Sequence, residues 1–80
     1  MKVEAEVSMY PLGRKDLGTH VRRFIEGLRD CGCQIEIGDM SSLVTGDSSQ
    51  VFDALRQGYD CAAAEGGCVL IVKACNVCPL

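Results

Sequence analysis

The order in which the hydrophobic period switches between two and about 3.6 residues most restricts what this chain can fold into. Val3, Ala5, Val7 and Met9 alternate with Lys2, Glu4, Glu6 and Ser8, the pattern of a half-buried strand. Tyr10-Pro11-Leu12-Gly13 ends it, because proline removes a ladder donor and glycine permits a turn. A helix follows from about Leu17 to Asp30. Val21, Phe24, Ile25 and Leu28 form one stripe on it, and Arg22, Arg23, Glu26 and Arg29 cover the other face. Thr19 is the expected N-cap and Gly32 the expected stop, free to take a positive φ. Alternation returns from Cys33 to Ile37. Gly38-Asp39 then turns the chain into a third strand, roughly Ser41 to Thr45, and so short a gap implies an antiparallel hairpin. Asp47 followed by Gln50 has the form of a capping box that opens a second helix. Val51, Leu55, Tyr59 and Ala62 are its expected apolar face, with Phe52 beside it. Gly66-Gly67 closes it, and the dense apolar run Cys68 to Val72 predicts a fourth strand.

The order β-α-β-β-α-β is the split βαβ pattern of the ferredoxin-like α+β fold. Two right-handed crossovers place both helices on one face of a four-stranded antiparallel sheet, with the first and third strands central. Glu4, Glu6, Ser8 and Tyr10 then fall on the open face, together with Val69, Ile71, Lys73 and Cys75. A face that mixes Val69 and Ile71 with charges is too apolar to stay wet. Self-association through the sheet, as a homodimer or higher homo-oligomer, is expected.

Eighty residues suffice for a single domain spanning 1–80, whose small core leaves a modest stability margin. A hydrophobic share of 48% and a charged share of 24% argue against disorder. The net charge of −3, without a basic stripe, argues against nucleic acid as a partner. No apolar run is long enough to span a bilayer, and Met1-Lys2 leads straight into a strand with no leader segment. A cytoplasmic protein with reduced thiols is the expectation.

Six cysteines are many for this length, and their spacing is irregular. Cys31-x-Cys33, isolated Cys61 and Cys68, and Cys75-x-x-Cys78 do not make the paired spacing of a zinc ribbon. Cys75 and Cys78 keep open an alternative as a metal-binding or redox protein. They end a strand, however, and lack the helix N-terminus that activates a redox pair. Cys33 and Cys68 read as small core hydrophobes. His20, at the start of the first helix, reads as a solvated residue without a catalytic role. A third reading is an ACT-like regulatory domain binding another metabolite between subunits.

Three segments carry a further likeness: Ser8-Met9-Tyr10-Pro11-Leu12-Gly13, the stretch from Gly38 to Asp47, and Asn76-Val77-Cys78-Pro79. Val51-Phe52-Asp53-Ala54-Leu55 fits with them. In joint order and spacing the chain resembles the YkoF-related thiamine/hydroxymethylpyrimidine-binding domains over nearly its whole length. Ser42 departs from the threonine of that pattern and Val77 from its alanine. The resemblance implies a ferredoxin-like fold and non-catalytic binding of thiamine or its hydroxymethylpyrimidine part, in transport, salvage or sensing, with no cofactor or metal. Some relatives carry two such domains in tandem, and a homodimer would replace that arrangement here.

The matching segments supply Ser8, Tyr10, Ser41, Ser42, Asp47 and Asn76 as candidate ligand-binding residues. Serine and asparagine suit the donor and acceptor edge of an aminopyrimidine. Tyr10 can lie against a ring or face the thiazolium cation, and Asp47, Glu4 or Glu6 can balance its charge. Each residue also has a structural reading. Asp47 is a natural N-cap, Glu4 and Glu6 can pair with Lys73, and Tyr10-Pro11 is turn chemistry. Ser41 and Ser42 are ordinary hairpin residues, and Asn76 can cap the sheet edge. The segments come from adjacent strands, although the strand directions do not put all of them at the same end.

Overall fold

Alternation along the first strand sets which side of the sheet the helices cover. In the computed structural model, which describes residues 1–77, β1 (Lys2–Pro11) buries Val3, Ala5, Val7 and Met9 under the helices and leaves Glu4, Glu6, Ser8 and Tyr10 on the other face. The remaining elements are α1 (Leu17–Asp30), β2 (Gln34–Ile37), β3 (Ser42–Asp47), α2 (Ser48–Glu65) and β4 (Cys68–Cys75). The four strands form one sheet in the order β2-β3-β1-β4, with every pairing antiparallel. This is the ferredoxin-like α+β architecture. Among the described residues no helix is long and apolar enough to cross a membrane.

The core lies between sheet and helices. Phe24, Ile25 and Leu28 of α1 and Val51, Ala54 and Leu55 of α2 pack on Ala5, Val7, Met9 and Val44. Burial of each large side chain contributes about 1.5–3 kcal/mol, the main stabilisation open to so small a chain. The two helices approach closely where the Phe24 ring lies against Gly58. A Cβ there would stand 2.7 Å from the ring.

Several local expectations are corrected. The N-cap of α1 is Asp16, not Thr19. The Asp16 carboxylate accepts from the Thr19 backbone N–H at 3.3 Å and from its hydroxyl at 2.7 Å. These bonds hold the Asp16 carboxyl below its usual range. Asp47 does cap α2, accepting from the Ser49 N–H at 3.3 Å. Gln50 does not complete a capping box; its amide instead donates to the Cys31 carbonyl at 3.2 Å and ties α2 to the end of α1. Gly32 follows that carbonyl with φ +92, and a Cβ there would come within 2.5 Å of the Gln50 amide. The buried stripe of α2 runs through Val51, Ala54 and Leu55, while Tyr59 and Phe52 are exposed. β3 starts at Ser42 and runs on to Asp47, and β4 extends beyond Val72 to Cys75.

The open face is legible from the register. Glu6 lies between Leu43 and Lys73, Ser8 beside Ile71, and Tyr10 beside Val69. Lys73 pairs with Glu6 at 3.4 Å, and the Ser41 hydroxyl donates to the same carboxylate at 3.1 Å. Tyr10, Val69 and Ile71 remain about half exposed beside this polar group.

Candidate functional site

Strand lengths create the site. β1 pairs with β4 as far as Pro11, but its last pairing with β3 is Val7 with Ser42. On the β3 side, the β1 backbone from Ser8 onward therefore has no strand partner. The β2–β3 hairpin, turning at Gly38 where its N–H donates to the Ser41 carbonyl at 2.9 Å, stands opposite this free edge. α1 roofs the gap. The result is a cleft of about 540 Å³. Its floor and sides come from Ser8, Met9 and Tyr10 of β1, Val21 and Ile25 of α1, and Ser41 and Ser42 of the hairpin.

Ser8, Tyr10, Ser41 and Ser42 thus meet at one cleft. They reach it differently. Ser42 shares the helix-covered face with Val44 and is only 8% exposed. Ser8 and Tyr10 have their side chains on the open face and border the cleft at the strand edge. Ser41 lies at the rim, bonded to Glu6.

Asp47 and Asn76 lie elsewhere. Asp47 pairs with Lys2, at the opposite end of β1 from Tyr10. From Lys2 to Ser8 the strand rises roughly 20 Å at its usual step. The Met1 amino group donates to Asp47 Oδ1 at 2.9 Å, and Ser49 occupies Oδ2 through its hydroxyl at 2.8 Å. Together these bonds, the amino group's foremost, hold the Asp47 carboxyl down to about 2. Asn76 follows β4 at that same end, where its amide lies 3.8 Å from the Met1 sulfur.

The sequence does not mark the charged residues at the cleft as site residues. Arg22, Glu26 and Arg29 line it from α1, and Asp39 lines it from the hairpin. All lie on the polar side of α1 or in a turn, where a charged residue is ordinarily solvated. Only the hairpin's position, opposite α1, turns them toward a cavity.

His20 is also corrected. It is not a solvated helix residue: its Nδ1 lies 3.1 Å from the Glu65 carboxylate and its side chain is 22% exposed. Cys33 is buried as expected. Burial, with a lesser contribution from neighbouring Cys31, pushes its thiol up, which makes it a poor nucleophile. Cys68 is partly buried and packs against the core. The Cys75-x-x-Cys78 pair cannot be placed as a pair, because Cys78 lies outside the described residues. Among the described residues no cluster of three or more histidine, cysteine or acidic side chains is arranged to hold a metal ion.

Solved structures share this architecture. A hypothetical protein from Methanocaldococcus jannascii superposes with a TM-score of 0.87 at 23% identity, covering 99% of this chain and 84% of its own. A Streptococcus pneumoniae protein gives 0.84 at 17% identity, over 94% of this chain and 86% of its own. A Thermotoga maritima protein whose suggested role is thiamine biosynthesis or salvage gives 0.81 at 20% identity, over 92% of this chain and 82% of its own. At these identities the likeness establishes the fold. No curated protein matches the chain. The model of the YKOF-related family matches residues 2–79, nearly the full sequence. The chain belongs to the YKOF-related family.

Proposed function

We propose that this chain binds the aminopyrimidine of thiamine, or free hydroxymethylpyrimidine, in the cleft between α1, the end of β1 and the β2–β3 hairpin, and releases it unchanged. The observation that carries the reading is the meeting of Ser8, Tyr10, Ser41 and Ser42, from two separate segments, at one cleft. Its 540 Å³ lies within the range of about 300–1,000 Å³ usual for small-molecule sites. An aminopyrimidine presents alternating donors and acceptors along one edge. Serine hydroxyls and an unpaired strand edge offer the complementary set. Tyr10 borders the cleft with an aromatic ring, and Glu26 and Asp39 are matched by Arg22 and Arg29, so the lining carries no net charge and suits the neutral pyrimidine. Membership of the family and the suggested role of the Thermotoga relative support the same ligand class.

Transport, salvage or sensing in the cytoplasm would each use such a module. The open sheet face suits a second copy of the chain, with Val69 and Ile71 as its apolar centre.

Calorimetry with thiamine and with hydroxymethylpyrimidine tests the proposal. Ser42→Ala is expected to weaken binding about tenfold, the usual loss for one ligand hydrogen bond of about 1.4 kcal/mol. Asn76→Ala, at the far end of the sheet, is expected to bind as the parent does. Absence of measurable binding by either compound would overturn the proposal.

A further inference from the structure

We propose that the groove between α1 and α2 is a second binding site, for a small oxyanion carrying phosphate or carboxylate oxygens. This groove of about 330 Å³ lies on the other side of Phe24 and Met9, which line both it and the pyrimidine cleft.

Arg14 carries the inference. Its Nη2 donates to the Ala62 carbonyl at 2.9 Å and the Gly67 carbonyl at 3.2 Å, and it packs so close to Gly66 that a Cβ there would stand 3.1 Å from Nη2. Its Nε and Nη1 are shut off from solvent and have no hydrogen-bond partner. Among the described residues no carboxylate is within ion-pair distance of it. The groove's single carboxylate, Glu65, is shared between His20 Nδ1 at 3.1 Å and Arg23 Nη1 at 3.1 Å. Arg14 and Arg23 therefore face one acid, which leaves positive charge in excess. A shielded guanidinium without an anion is unfavourable, and its pull on an anion strengthens beside apolar walls such as Phe24 and Ala54. The oxyanion reaches the Arg14 Nε and Nη1 donors only when the guanidinium turns away from the Ala62 and Gly67 carbonyls, toward Arg23 and His20 of the same groove. The planar fork of arginine matches phosphate and carboxylate alike.

The test is calorimetry and thermal unfolding of the full chain with inorganic phosphate and, separately, succinate, against chloride at equal ionic strength. A saturable rise in Tm with phosphate, succinate or both is expected, and the pattern names which oxyanion is taken. Arg14→Lys keeps the charge but removes the fork, and is expected to weaken the response about tenfold. Exposed Arg23→Gln, which leaves the core untouched, is expected to do the same, while Arg22→Gln in the other cleft leaves it unchanged. No response beyond that of chloride, or an equal response in the parent and Arg23→Gln, overturns the proposal. Thiamine binding is expected to persist in Arg14→Lys and Arg23→Gln, neither of which lines the pyrimidine cleft.

Discussion

Asp47 shows how one side chain can be claimed by structure before any ligand reaches it. Its two oxygens are taken by the Met1 amino group and by Ser49 at the start of α2. Its folded pKa of about 2 lies below the ordinary 3.8. A depressed carboxylate stabilises the fold above its unfolded pKa, and that contribution is lost as pH falls through the folded value. Acid is therefore expected to weaken the fold between about pH 4 and pH 2. Asp47→Asn keeps a capping side chain but cannot titrate. Urea unfolding along this pH range is expected to show a shallower acid limb for the variant; identical limbs would remove Asp47 from the account. Ser42 shows what alternation already contained. It sits two residues from Val44, so it shares that residue's buried face. The His20–Glu65 pair was not legible, because it joins residues 45 positions apart in sequence across a helix interface.

At the scale of elements, the hydrophobic period located both helices and the central strands well, since burial of a stripe is what makes them stable. Ends were harder. The cap of α1 shifted to Asp16 because its carboxylate can take both the N–H and the hydroxyl of Thr19. β4 outran its apolar run because pairing with β1 continues through Lys73 and Ala74. The packing of α1 on α2 was also hidden, since it depends on a glycine within a helix. Helix propensity alone favours alanine over glycine by about 1 kcal/mol. At Gly27, where a Cβ meets nothing within 4 Å, Gly27→Ala is expected to stabilise the protein. At Gly58 the new methyl meets the buried Phe24 ring, and overpacking costs about 1–3 kcal/mol. Gly58→Ala is thus expected to be neutral or destabilising. Denaturant unfolding of both variants checks this; an equal gain at the two positions contradicts the close packing of the helices.

For the whole molecule, the handedness of crossovers and the hairpin were enough to derive the sheet order β2-β3-β1-β4. The same directions divide the candidate residues, with Ser8, Tyr10, Ser41 and Ser42 at one end of β1 and Asp47 and Asn76 toward the other. The unpaired edge of β1 was not foreseeable, because it depends on β3 being shorter than its partner. The open face leads to a further expectation. If it holds a second copy, Ile71→Asp places a charge at its apolar centre and converts the dimer to a monomer, seen by sedimentation. A parent that sediments as a monomer at high concentration contradicts this arrangement.

The position of the ligand decides most. Backbone amide shifts recorded while hydroxymethylpyrimidine is titrated into the full chain would locate it. Changes centred on Ser8 to Tyr10 and Gly38 to Ser42 are the predicted result. Changes confined to the Met1, Asp47 and Asn76 end, or to the outer sheet positions of β4, would contradict it.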